Sequence, residues 1–344
     1  MHKSPNKKIL IVGAGLSGVT IARQLADSGF EVTVIDKKNH VGGHCFDYFD
    51  DSGIRVHKYG PHIFHTSNEL VVKWLSQYTD WIDYEHRVVA LINSGDLVIF
   101  PPNLSTLKKI SKDNLVDTFY RPYSEKMWGI KLEELNPKII NRVPIREDYE
   151  DRYFPKETFQ KLPKNGYTSL VENILDHKKI KIKLNFAFDK KLAGDFYHVF
   201  NSMPIDEYFN YKFGQLPYRS IKFHHELHNI SQLSKHPVVN YTDNSVYTRH
   251  TEWKHFPNHG DSKNQTLVTR EEPCDYRENN FERYYPVIDM DGENRKLYQK
   301  YKTNIPDNMT FIGRCGMYVY INMDQAVSSS LSLSKKFILK EATL

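Results

Sequence analysis

The chain has 344 residues, of which 40% are hydrophobic and 26% charged, a composition that supports about two packed domains and excludes a wholly disordered chain. Lys and Arg total 47 against 42 Asp and Glu, a formal charge of +5. That excess suits an anionic small ligand and is too small and dispersed for a nucleic-acid surface. No run nears the roughly 18 uninterrupted apolar residues of a membrane helix, so no membrane insertion is expected.

In chain order, Lys8–Val12 reads as a buried parallel strand, and the turn Gly13-Ala14-Gly15-Leu16-Ser17-Gly18 opens a helix with Val19, Ala22, Leu25 and Ala26 on one face. Gly29 ends that helix, and Glu31–Ile35 forms a second strand closed by Asp36. The unit has dinucleotide-binding logic. Gly13 permits the tight turn, Gly15 the approach of a pyrophosphate and Gly18 close helix–strand packing, while Asp36 accepts from a ribose hydroxyl. A glycine-rich turn without a ligand is the plain alternative. The run Ile9–Val12 passes straight into these glycines with no small-residue cleavage site, so no signal peptide is expected. A second glycine pair, Gly42-Gly43, then His44, follows the acid within a few residues. It resembles the extended signature of FAD-binding flavoproteins of the amine-oxidase type; an ordinary loop is the alternative.

Residues 68–78 read as an amphipathic helix through Leu70, Val71, Trp74 and Leu75, and Arg87–Phe100 as a hairpin turning at Asn93–Asp96. Residues 104–135 read as several short helical pieces, and 195–290 as short strands of an antiparallel sheet. Met309–Arg314 is one more buried strand, and Asp324–Lys340 a closing helix that returns to the first domain. Cys45, Cys274 and Cys315 contain no CxxC pair, which argues against disulfides and structural zinc and for a reducing cytoplasm. Sixteen histidines without HExxH give no metal site, since His57, His62 and His65 fall in a strand–loop passage. The 22 tyrosines, clustered in short polar segments, suit a wet pocket.

Several segments together resemble the bacterial UDP-galactopyranose mutases: Lys58–Thr66, Phe100–Leu104, Tyr123–Gly129, Val246–Arg249, Tyr284–Pro286 and Gly313–Tyr320. The resemblance runs in order through nearly the whole chain. It implies an α/β fold: a Rossmann-like FAD-binding domain, a shortened helical insertion and an antiparallel substrate domain. Their expected limits are 1–85 with about 190–225 and 303–344, then 104–175 with a mobile loop near 136–152, then 86–103 with about 226–302. It also implies flavin-dependent interconversion of UDP-galactopyranose and UDP-galactofuranose, with N5 of reduced FAD as the nucleophile at the anomeric carbon. Arg142, Arg249 and His62 would be catalytic, the two arginines clamping the diphosphate. Tyr123 and Trp128 would hold the uracil, and Tyr153, Tyr285 and Tyr320 the phosphates, with Phe154, Asn103, Asn240 and Asn322 completing the substrate site. Besides Gly13, Gly15, Leu16, Ser17, Gly18 and Asp36, the cofactor would touch Lys37, Gly43, His44, Tyr59, Gly60, Arg219, Arg314 and Met323. The implied assembly is a homodimer. Two departures mark this chain: the insertion between Asn103 and Tyr123 is trimmed, and Asn322 replaces the usual acid. Both leave open a related nucleotide pyranose, an amino, deoxy or longer-chain sugar. The rival readings are a flavin oxidase or desaturase, against which the Tyr-, Arg-, Asn- and His-rich segments speak, and a non-catalytic nucleotide sensor.

Overall fold

The computed structural model describes residues 7–135 and 143–343. Five parallel strands form the first sheet in the order Ile180–Lys183, Glu31–Ile35, Lys8–Val12, His198–Asn201, Met309–Phe311. The central strand is apolar because both its faces are covered. Ile9 and Ile11 pack among Val19, Ala22 and Leu25 of the Leu16–Asp27 helix, while Leu10 and Val12 face a second cluster built on Phe311 and Tyr318. The Met323–Ala342 helix lies along Leu16–Asp27, so the last helix does return to the first domain.

The second sheet has seven strands in the order Tyr285–Pro286, Tyr218–His228, Thr266–Asp275, Arg249–Glu252, Val238–Tyr241, Val88–Leu91, Leu97–Phe100. The expected hairpin is its outer edge, with Val88 opposite Phe100. The sheet differs from the sequence reading in two ways. It is not wholly antiparallel, since Val238–Tyr241 runs parallel to Val88–Leu91. Nor are its strands uniformly short, because Tyr218–His228 and Thr266–Asp275 pair over ten residues from Arg219–Asp275 to His228–Thr266.

Two expected domain limits move as a result. The limit near 225 falls inside the Tyr218–His228 strand, which belongs to the seven-stranded sheet. Residues 159–175 leave the helical insertion. Phe159–Pro163 pairs with Phe64–Thr66 and Trp81–Asp83, and Gly166–Leu175 packs on the Leu16–Asp27 helix through Leu170, Val171 and Ile174. The insertion is in short pieces, as expected: Leu104–Leu107, a 3-10 turn at Lys112–Asn114, a π turn at Val116–Tyr120 and the helix Arg121–Trp128. Among the described residues no helix is long and apolar enough to cross a membrane, and no cluster of His, Cys, Asp and Glu is placed to hold a metal. The three cysteines are free.

Candidate functional site

A cleft of about 1490 Å³, open solvent at its mouth included, runs along the carboxyl ends of the parallel strands. Its floor is the glycine turn. Gly13 has φ +103, and a Cβ there would lie 1.9 Å from Ser202 Oγ. A Cβ on Gly18 would lie 2.0 Å from Gly13 O. Gly15 is different, because a Cβ would meet nothing nearer than Gly43 Cα at 3.8 Å. No protein atom therefore requires glycine at 15, and the space above it is a cradle that a side chain would fill. The Leu16–Asp27 helix starts there with no side-chain cap, so its first N–H groups and positive dipole end face the cleft. Asp36 accepts from Ala14 N at 2.8 Å and Lys38 N at 2.9 Å, which fixes the turn and leaves further lone pairs for hydroxyl donors. The residues fit the phosphates and ribose of a dinucleotide.

Leu16, Ser17, Lys37, Gly43, His44, Arg314 and Met323 line this cleft with the turn, as do His62 and Asn322. Sequence reasoning missed Lys38 and Glu282 beside them. Lys38 Nζ reaches Glu282 Oε1 at 2.7 Å and Tyr59 Oη at 3.0 Å, and His44 Nε2 lies 3.2 Å from the same carboxyl oxygen. Burial lowers the Lys38 pKa, but Glu282 and Tyr59 outweigh it and the net shift is upward. Two residues 244 apart in sequence left no local signal of this contact.

His62 joins the cleft to a second cluster, centred on Arg249. The strands carrying Asn240, Arg249 and Glu271 put these three side by side, in register on adjacent strands. Arg249 Nε sits 3.0 Å from Glu271 Oε2. Burial alone would lower the arginine pKa; the Glu271 charge and the hydroxyls of Tyr123, Tyr153 and Tyr284 raise it, so the cation is secure. Burial pushes Tyr123 up to about 12, keeping its phenol neutral. Burial also holds His62 and His86 down to about 3, with Arg249 adding to both shifts. Asn240 Oδ1 and Glu271 Oε1 are buried with no hydrogen-bond partner, an arrangement that suits a polar ligand. Aromatic rings continue the cluster. Trp128 meets Tyr320 edge-on at 5.7 Å, and the Arg314 guanidinium lies 5.2 Å from the Tyr320 ring. Phe154 stacks on His65 at 3.6 Å and meets Tyr153 edge-on at 4.8 Å.

Five expected residues are engaged elsewhere. Asn103 is fully buried; its Oδ1 caps the Leu104–Leu107 helix at Ser105 N and Thr106 N, and its Nδ2 donates to Glu150 O. Tyr285 is fully buried, and its hydroxyl donates to Met127 O at 2.6 Å instead of facing a phosphate. Arg219 donates to Met127 O and Lys126 O, closing the end of the Arg121–Trp128 helix rather than lining the cleft. Tyr59 and Gly60 stand behind the cleft wall, with a Cβ on Gly60 2.7 Å from Glu271 Oε1. Arg142 lies outside the described residues. The described part of the expected mobile loop is tied down by Arg146, which donates to the carbonyls of Glu150, Arg152 and Tyr153.

Glycine cradle, acid-ended second strand and β-rich lobe define a dinucleotide-binding protein of the Rossmann class, and a model of the NAD(P)-binding Rossmann-like domain matches residues 11–78. A model described as UDP-galactopyranose mutase matches residues 118–320. The probable UDP-galactopyranose mutase of Klebsiella pneumoniae is 36% identical over 97% of this chain and 95% of its own. The dTDP-fucopyranose mutase of Escherichia coli is 33% identical over 96% and 98%. A crystal structure of reduced UDP-galactopyranose mutase shares the fold, with a TM-score of 0.77 over 97% of this chain and 94% of its own at 14% identity. The chain belongs to the UDP-galactopyranose mutase family.

Proposed function

We propose that this protein interconverts the pyranose and furanose forms of UDP-galactose, with FAD in the glycine cradle and active in its reduced state. The observation that carries the reading is the joining of two sites. The cleft of the dinucleotide fold meets, through His62, a half-buried arginine ringed by tyrosines. Near-full-length likeness to a probable UDP-galactopyranose mutase supports it. When bound, reduced flavin supplies a nucleophilic N5 for the anomeric carbon.

The chain's own residues do the rest. Arg249 offers a diphosphate a planar, permanently charged donor already partly desolvated by the protein. Trp128, Tyr123 and Tyr320 provide faces and edges for a base and a sugar. No serine, cysteine or carboxylate is required as nucleophile, which agrees with cysteines in which burial outweighs the nearby cations: Cys45 is raised to about 12 and Cys315 to about 11, and Cys274 is raised too. Arg142 is the second arginine of the proposed clamp. Arg142→Ala and Arg249→Ala should each lower kcat/KM by about one to two decades with FAD content unchanged; near-normal kinetics in either removes that arginine from the site. A homodimer in a reducing cytoplasm completes the reading, and light scattering measures the assembly.

The test of the reaction is turnover of UDP-galactofuranose in dithionite against turnover in air. Equal rates for reduced and oxidised protein would overturn the flavin-nucleophile reading. Because one relative is named for a deoxy sugar on dTDP, dTDP-fucose belongs in the substrate panel, and faster turnover of it would reassign the sugar while leaving the reaction class intact.

A further inference from the structure

Three histidines form a hydrogen-bonded file that ends at the cleft. The backbone N–H of His62 donates to His57 Nδ1 at 3.0 Å. His57 Nε2 lies 3.0 Å from His259 Nε2, and His259 Nδ1 lies 2.8 Å from Pro257 O. Donor and acceptor capacities leave one arrangement. A ring nitrogen that accepts from a backbone N–H carries no proton, so His57 holds its proton on Nε2. That N–H donates to His259, whose Nε2 is therefore bare and whose Nδ1–H donates to the Pro257 carbonyl. His57 and His259 are both buried, so water does not scramble the order.

His62 is fixed by the same reasoning. Its Nδ1 lies 2.8 Å from Gly60 O, which accepts only, so Nδ1 carries the proton. Nε2 is the remaining ring nitrogen, on a residue that lines the cleft. Burial, with His44, Arg314 and Arg249 nearby, opposes a second proton.

We propose that His62 meets the ligand as a hydrogen-bond acceptor only, its Nε2 taking an O–H or N–H from what the cleft holds, and that His57 and His259 are positioning residues that aim it. The inference rests on the mutase reading for the identity of the donor, a sugar hydroxyl. The site then divides its work: guanidinium groups meet the anionic part of a nucleotide sugar, and one bare nitrogen meets the hydroxyl-bearing part. A neutral His62 also cannot compete with Arg249 for the diphosphate.

The experiment is nitrogen–proton correlation spectroscopy of the flavin-loaded protein with labelled histidine, peaks assigned through His62→Gln and His259→Gln. From about pH 6 to about pH 8, His62 and His259 should appear protonated on Nδ1 and His57 on Nε2. A His62 protonated on Nε2 overturns the proposal. A second arm separates aiming from folding. His57→Asn places an amide oxygen where Nδ1 stood and should keep the His62 signal and kcat/KM within about threefold, whereas His57→Gln leaves the His62 N–H unpaired and should cost about tenfold at unchanged flavin content. Equal behaviour of the two overturns the positioning role. A protein showing these tautomers without mutase turnover would sustain the aimed acceptor and refute the mutase reading, so the two failures are distinguishable.

Discussion

One methyl group separates the jobs of two glycines in the same turn. At Gly15 the backbone is ordinary, φ −80 and ψ 174, and the nearest atom to an added Cβ is 3.8 Å away. Gly15→Ala should therefore leave the stability of the flavin-free protein within about 0.5 kcal/mol, yet lower FAD content at least about tenfold, because the methyl occupies the cradle. A normal flavin spectrum in Gly15→Ala would mean that no phosphate lies there. Gly18→Ala should do the reverse. Its Cβ would collide with Gly13 O at 2.0 Å, so the fold should lose about 1–3 kcal/mol in urea unfolding before any ligand is considered. Residue type alone announced the pair, since strand, turn, helix and acid are contiguous. It could not rank the two, because the clash at Gly18 depends on how the turn closes.

At the scale of elements, the helix Arg121–Trp128 shows how supporting residues resemble binding residues. It carries Tyr123 and Trp128 toward the site and is held from three sides. Lys126 Nζ donates to the carbonyls of Tyr241, Asp243 and Tyr247, Arg219 seals the last turn, and Tyr285 donates to Met127 O. Asn103 performs the same service for Leu104–Leu107. Asn103→Ala should cost about 1–2 kcal/mol of stability through the lost cap and the stranded Glu150 carbonyl, with KM nearly unchanged. A raised KM at normal stability would return Asn103 to the substrate site. Arginine, asparagine and tyrosine are what a nucleotide sugar requires and also what helix ends require, so composition and order could not separate Arg249 from Arg219. The strand–helix–strand unit from Lys8 to Asp36 was legible because its chemistry is local. Glu271, and its place in a row with Asn240 and Arg249, was not, since strand register sets that row over 31 residues of chain.

For the whole molecule, buried and half-buried neutral histidines set the acid limit. Burial holds His62 and His86 at about 3 and His198, His250 and His259 at about 4, against about 6.5 in the unfolded chain. Between those values the unfolded state binds more protons, so the stabilisation is complete above about pH 6.5 and is lost as pH falls toward the folded values, by up to about 1.4 kcal/mol per histidine per pH unit. The urea midpoint should drop steeply from pH 7 to about pH 5; a flat profile would show that these rings protonate freely in the folded protein. The parallel sheet has a different consequence. Lys8–Val12 finds its neighbour His198–Asn201 only about 190 residues later, and the Leu16–Asp27 helix that covers it is itself covered by Met323–Ala342, whereas every strand of the seven-stranded sheet is complete by Pro286. Such long-range closure folds slowly. A chain truncated after Asn308 should remain open to protease in its first 35 residues, and protection there would refute this order. During synthesis, the nucleotide cradle thus becomes competent only after Met309–Phe311 and Met323–Ala342 have been made, later than the seven-stranded sheet.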